Sequence, residues 1–170
     1  MSHPILIDNI GCLKDCVQVT ASIGQKDYTH LEPKLFPHGS YGAHLRHVVE
    51  FYTCFLEGLP KGVVDYAMRR RDLAIEESIE EGLNACHQVI ELLEDLNVDD
   101  LNIPLRLKSE SDQNDIWLES GGLRELEFLI HHSVHHYALM SAQLRQQNKV
   151  VPDTFGLARS TLRHLASCAP

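Results

Sequence analysis

The sequence predicts an all-α protein built as a four-helix bundle. Three observations carry this. Four long segments repeat apolar residues at helical spacing. Serine, glycine or proline punctuates most of their ends. Two extended connections separate them, which calls for a long crossover rather than a minimal up-down bundle. At 170 residues the chain reads as one domain, residues 1–170, long enough to bury a core without disulfide staples.

Ile10, Leu13, Val17 and Ala21 place the first helix at about residues 7–23. Gly24 then supplies the residue type that closes a helix in a left-handed turn. Pro33, Pro37 and Gly39 make residues 25–39 a long loop. Ser40 is a good N-cap for a second helix through Leu56, stopped by Gly58-Leu59-Pro60. This helix is apolar over more than half its circumference, through Leu45, Val48, Val49, Phe51, Tyr52, Phe55 and Leu56. Arg46, Glu50 and Thr53 form its polar strip, so it should be covered on two sides.

Residues 61–74 form the second extended connection, with Tyr66, Arg69, Arg70, Arg71 and Asp72. In the third helix Ile79, Leu83, Cys86, Ile90 and Leu93 make a bundle stripe ending near Asn97. Glu76, Glu77, Glu80 and Glu81 lie in its first turns, where they suit the helix dipole. Leu105 and Leu107 then alternate with Arg106 and Lys108, residues 109–115 are turn-like, and Ile116 and Leu118 flank Trp117. That pattern predicts a short hairpin-like excursion. Gly121-Gly122 precede a fourth helix from Leu123 to about Gln147, and Pro152 closes the region. Leu157, Leu162 and Leu165 allow a short C-terminal helix within residues 155–165.

A net charge of −9 and a pI near 5.6 argue against a nucleic-acid face, and Arg69-Arg70-Arg71 is too short to reverse this. No run approaches the roughly 20 apolar residues of a membrane span, so no membrane partner is expected. The N-terminus lacks the basic and long apolar regions of a signal peptide, which points to a cytoplasmic protein. Cys12, Cys16, Cys54, Cys86 and Cys168 lack zinc-finger spacing and read as small hydrophobes in a reducing cytosol.

The fourth helix puts His131, His132, His135 and His136 into six residues. Leu126, Leu129, Ile130, Val134, Tyr137, Met140 and Leu144 form its apolar stripe. His132 and His136 fall at one border of that stripe, whereas His131 and His135 fall nearer solvent. Two neutral imidazoles one turn apart on one face can share a metal ion. Imidazole suits zinc, nickel, copper or iron better than magnesium or calcium. A third ligand must come from another helix. On the second helix His47 borders the apolar arc and His44 lies nearer its middle, and spacing leaves both open. Glu50 and Glu125 read as surface or supporting groups rather than catalysts. Arg69, Arg70 and Arg71 read first as salt-bridging groups, with binding of an anionic substrate as the alternative.

Two signatures at these residues resemble the DinB-like (damage-inducible) family of metal-binding four-helix bundles. One is a serine followed seven residues later by a histidine, Ser40 to His47; the other is H-x-x-x-H, His132 to His136. The stretches 64–72, 134–140 and 155–163 extend the resemblance over nearly the whole chain. It implies an up-down-down-up bundle, commonly dimeric, with a divalent metal on His47, His132 and His136. Zinc is expected first, with nickel or iron as alternatives. Three histidines leave one position open on the ion, which lowers the pKa of bound water or thiol. Relatives include transferases and an isomerase that use low-molecular-weight thiols. The resemblance therefore implies a thiol-dependent transferase or a hydrolase acting on a small molecule; the alternative is a non-catalytic metal-binding or stress-response protein. Many relatives follow the last ligand with Arg-Gly-Gln, where this chain has Tyr137-Ala138-Leu139. A site sealed by Tyr137, Leu139 or Met140 favours the non-catalytic reading.

Overall fold

A computed structural model describes residues 3–32, 39–111 and 115–168. Helices α1 (Pro4–Ala21), α2 (Gln25–Tyr28), α3 (Tyr41–Gly58), α4 (Leu73–Glu77), α5 (Ile79–Glu94), α6 (Gly122–Gln146) and α7 (Arg159–Ser167) dominate it. Strands β1 (Val63–Val64), β2 (Pro104–Lys108) and β3 (Trp117–Gly121) form one small sheet. The protein is thus mostly helical, and its small sheet adds strand β1 to the expected hairpin-like excursion. Among the described residues, no helix is long and apolar enough to cross a membrane.

The four long helices form a ring of neighbours, α1 against α5 and α6, and α3 against the same two. Contacts run in opposite senses along α3 and α6: Gly39 meets Gln143, His44 meets His136 and Phe51 meets Phe128. They also run oppositely along α1 and α5, where Lys14 pairs with Glu94 and Gln25, just past α1, bonds the backbone at Glu77 and Ile79. Along α3 and α5 the sense is shared, with Leu45 beside Gly82 and Leu56 facing the same cavity as Leu92 and Leu96. It is also shared by α1 and α6, where Asn9 donates to the Leu126 carbonyl and Cys16 meets Tyr137.

Leu13, Leu45, Val48, Phe55, Leu93, Leu126, Leu129 and Leu144 are buried between these helices. Each such side chain contributes about 1.5–3 kcal/mol of burial free energy. Helix α3 is covered on two sides, as its wide apolar arc requires. Two of the buried tyrosines bond their hydroxyls across the core: Tyr52 donates to Asn9 Oδ1 at 2.7 Å and Tyr28 to the Ile75 carbonyl at 2.5 Å. Gly42 sits where a Cβ would lie 2.2 Å from the Glu76 carbonyl oxygen, so glycine is what lets α4 close onto the start of α3.

Several boundaries depart from expectation. Helix α1 starts at Pro4, where proline's fixed φ and missing N–H suit a first turn. Gly24 does not close it in a left-handed turn. It is extended, at φ −94° and ψ 164°, and precedes α2, which occupies part of the expected loop. Pro33 and Pro37 of that loop lie outside the described residues. Ser40 caps α3 as expected, its Oγ accepting from the Ala43 N–H at 3.1 Å. Ser78 divides the third helical segment into α4 and α5 and caps the latter. The expected excursion is an antiparallel hairpin pairing Leu105 with Ser120 and Leu107 with Leu118. Residues 112–114 of its turn lie outside the described residues. Strand β1, in a stretch expected to be plain connection, pairs in parallel with β2. Phe155 precedes α7 and stacks on Tyr137 at 5.0 Å. Cys12, Cys16 and Cys86 are buried, Cys54 is half-buried and Cys168 exposed, all free thiols. Burial pushes Cys12 up to about 12, so its thiol is inert at neutral pH.

Candidate metal centre

The α3–α6 contact brings three imidazoles to one point. His132 and His136, one turn apart on α6, face His47 on α3. The Nε2 atoms of His47 and His132 are 3.1 Å apart, and those of His136 and His132 are 3.2 Å apart. The ligand atoms of all three lie within 4.8 Å of one another. A tetrahedral ion holding nitrogens at 2.0–2.1 Å sets them about 3.3 Å apart, close to this spacing. The donor set therefore fits a divalent metal of the kind imidazole prefers. His132 Nδ1 is buried with no partner, a further sign that these rings are not paired as ordinary core histidines.

The electrostatics agree with the geometry. Burial is the main cause that lowers His47 to about 3, His132 to about 4 and His136 to about 2. Neighbouring cationic forms add to it, chiefly His132 against His47 and His136, and His135 and then Arg69 against His132. The rings are neutral at physiological pH, which is the form a metal requires.

The two candidates on α3 have different positions. His47 joins the Nε2 cluster, whereas His44 meets His136 through Nδ1 on both rings, at 3.0 Å. His131 is exposed and pairs with Glu127 at 3.0 Å. His135 is exposed, its ring edge-on to His136 with centroids 5.1 Å apart.

An aromatic wall closes one side. The Phe51 ring lies 4.1 Å from that of His132 and 4.6 Å from that of His47, while Phe128 lies 5.6 Å from His132. Tyr66 stacks on Phe51 at 4.7 Å. Phe51 follows His47 by four residues and Phe128 precedes His132 by four. Same-face helical spacing therefore carried a signal for both. The Arg69 guanidinium lies 4.5 Å from the Phe51 ring centre. It donates to the Tyr66 carbonyl and pairs with Glu110 at 3.5 Å, and its Nε is buried without a partner. Arg70 instead pairs with Glu57 on the surface, and Arg71 donates to the carbonyls of Ala67 and Arg69.

Two carboxylates read from the sequence as surface or supporting groups are buried. Glu50 is buried because α4 packs over that side of α3, and its Oε1 accepts from the Asp72 N–H at 2.7 Å. Glu125 is fully buried, accepting from the Tyr66 hydroxyl and from Arg124 at 2.8 Å each, and from Ser120. It ties the hairpin and the second connection to α6. Tyr137 and Met140 point into the core, and the three clustered imidazoles stay partly exposed. A cavity of about 590 Å³ lies toward the C-terminal end of α3, between Leu56, Leu59, Leu92 and Ile103.

Fold and site together define a mostly helical bundle with an inward-facing three-histidine cluster compatible with metal binding. A solved structure gives that architecture its name. The DinB-like protein YjoA of Bacillus subtilis aligns with a TM-score of 0.65 over 92% of this chain and 99% of its own, at 13% identity, so the fold is DinB-like. FK506-binding protein 5 of Rhizopus delemar is 30% identical over 106 residues, 61% of this chain, and the chain spans 28% of that protein's length. No family model matches the chain.

Proposed function

We propose that the protein binds a divalent metal through His47, His132 and His136 and uses it as a metal-dependent enzyme on a small molecule, as a thiol-dependent transferase or a hydrolase. The convergence of three Nε2 atoms, 3.1 and 3.2 Å apart in a half-buried cluster of neutral rings, carries this reading. Three histidines leave a fourth position, where a bound ion would polarise substrate or lower the pKa of water or a thiol. Phe51, Phe128 and Tyr66 keep water from one side of the cluster and strengthen electrostatics there. Arg69 places a cation behind Phe51, which favours an anionic group such as a thiolate. Zinc fits first, with nickel or iron as alternatives, and the co-substrate is a low-molecular-weight thiol.

For the bundle itself we propose one domain in the up-down-down-up order with a long crossover. The opposite contact senses of α3 with α6 and α1 with α5, and the shared senses of the other two pairs, support that order. A homodimer and a cytoplasmic location belong to the same proposal, on the sequence resemblance alone. Because Tyr137-Ala138-Leu139 stands where many relatives have Arg-Gly-Gln, a non-catalytic metal-binding or stress-response protein is the second reading.

Elemental analysis of protein purified without added metal tests the centre. Near-stoichiometric metal is expected in the wild type and in His131→Ala, with most of it lost in His132→Ala and His47→Ala. Full retention in His132→Ala overturns the assignment. A panel of physiological thiols with electrophilic acceptors, run on apo and metal-loaded protein, tests catalysis. Absence of metal-dependent turnover selects the non-catalytic reading.

A further inference from the structure

We infer that His44 is a positioning residue: it holds His136 in the one tautomer whose Nε2 is free to take a metal. This rests on the three-histidine metal centre proposed above. His44 precedes His47 by three residues on α3, so both project from one face of that helix toward α6. It is itself buried. The rings of His44 and His136 are 5.2 Å apart and tilted by 44°, with the two Nδ1 atoms at 3.0 Å.

Two ring nitrogens at that distance need one proton between them, one nitrogen donating and the other accepting. His136 is held at both of its nitrogens: Nδ1 against His44, and Nε2 at 3.2 Å from His132 Nε2. The proton of a neutral His136 therefore has two homes. On Nε2 it points at His132, and the pair closes into a hydrogen bond that uses up the lone pairs a metal needs. On Nδ1 it is donated to His44, and the His136 Nε2 lone pair faces the cluster. We assign His44 the accepting role at this contact, which favours the second arrangement.

The contact also explains why His44 is not a ligand. It addresses the outer nitrogen of His136, on the far side of the ring from the converging Nε2 atoms. His132 lacks such help, since its Nδ1 is buried without a partner. Partners that hold the outer nitrogen of a ligating imidazole are typically worth 10–100-fold in metal affinity.

The test compares chelator-stripped wild type, His44→Leu and His44→Asn. Zinc affinity is measured by competition with a chromophoric chelator, folding by thermal melting, and the His136 tautomer by nitrogen-15 spectra. Leucine fills the space without an acceptor, whereas asparagine returns an amide oxygen near the place of Nδ1. His44→Leu should bind zinc 10–100-fold more weakly and show mixed His136 tautomers. His44→Asn should recover most of the affinity, with His136 protonated on Nδ1. Wild-type affinity in His44→Leu, or no recovery in a folded His44→Asn, overturns the inference alone. A wild type that takes up no zinc overturns the metal centre and this inference with it.

Discussion

Helix α6 carries two histidine pairs of identical spacing and opposite surroundings. His132 and His136 are half-buried and meet His47 across the α3 interface, with Phe51 and Phe128 behind them. His131 and His135, one residue earlier in each case, are exposed, and His131 pairs with Glu127 on its own helix. A step of about 100° around the helix separates the pairs. What differs is what lies opposite. The inner pair has a third imidazole and a wall that excludes water, so its rings are held neutral and aimed at one point. An H-x-x-x-H on a helix is therefore half a site, and the facing helix supplies the other half.

The strongest way to break this contrast is to remove the wall. Phe51 is 5% exposed and touches His47, His132, Tyr66 and Phe128. Phe51→Ala should cost about 3–5 kcal/mol in urea or guanidinium unfolding, through lost burial and the cavity left behind. That is a large share of the roughly 5–15 kcal/mol that holds a domain folded. A loss below about 1 kcal/mol would mean the wall is not packed, and the inner pair would lose its distinction in environment.

The inner pair was visible in the sequence because its azimuth on α6 depends only on helical period. The stop after α3 and its Ser40 cap were visible for the same kind of reason, since caps and breakers act within a few residues. What stayed hidden depends on contacts between distant segments. Burial of Glu50 requires α4 to fold over α3, and burial of Glu125 requires Tyr66 and Ser120 to reach α6. Neither has a local signature. Strand β1 is two residues long and exists only because β2 lies beside it. The choice of His47 for the cluster came from resemblance, since spacing left His44 open. The contact of His44 with His136 needed coordinates.

Acid sharpens the contrast in metal-free protein. His47, His132 and His136 are held at about 3, 4 and 2 when folded, against about 6.5 in the unfolded chain. Below pH 6.5 the unfolded state therefore binds more protons, and stability falls as pH falls toward the folded values. Well above pH 6.5 these rings are neutral in both states and add no slope. The denaturation midpoint of chelator-treated protein should drop between pH 7 and pH 5, and His132→Leu should flatten that fall. Histidine proton resonances should show three rings that do not titrate over this range. An unchanged midpoint from pH 7 to pH 5 would mean that the inner rings are not kept neutral by burial.

The smallest effect is expected on the outer face. The His131–Glu127 pair has the favoured order, acid one turn before the base, but both side chains are more than half exposed, at 64% and 58%. Water and salt screen such a pair, and holding two side chains in one geometry costs entropy. His131→Ala should therefore change unfolding free energy by no more than about 0.5 kcal/mol, with any loss shrinking as salt is raised. It should leave the pH slope of the metal-free protein as it was. A loss above about 1 kcal/mol, or a flattened slope, would show that the outer histidines share the packing of the inner ones, and the two faces of α6 would no longer be different environments.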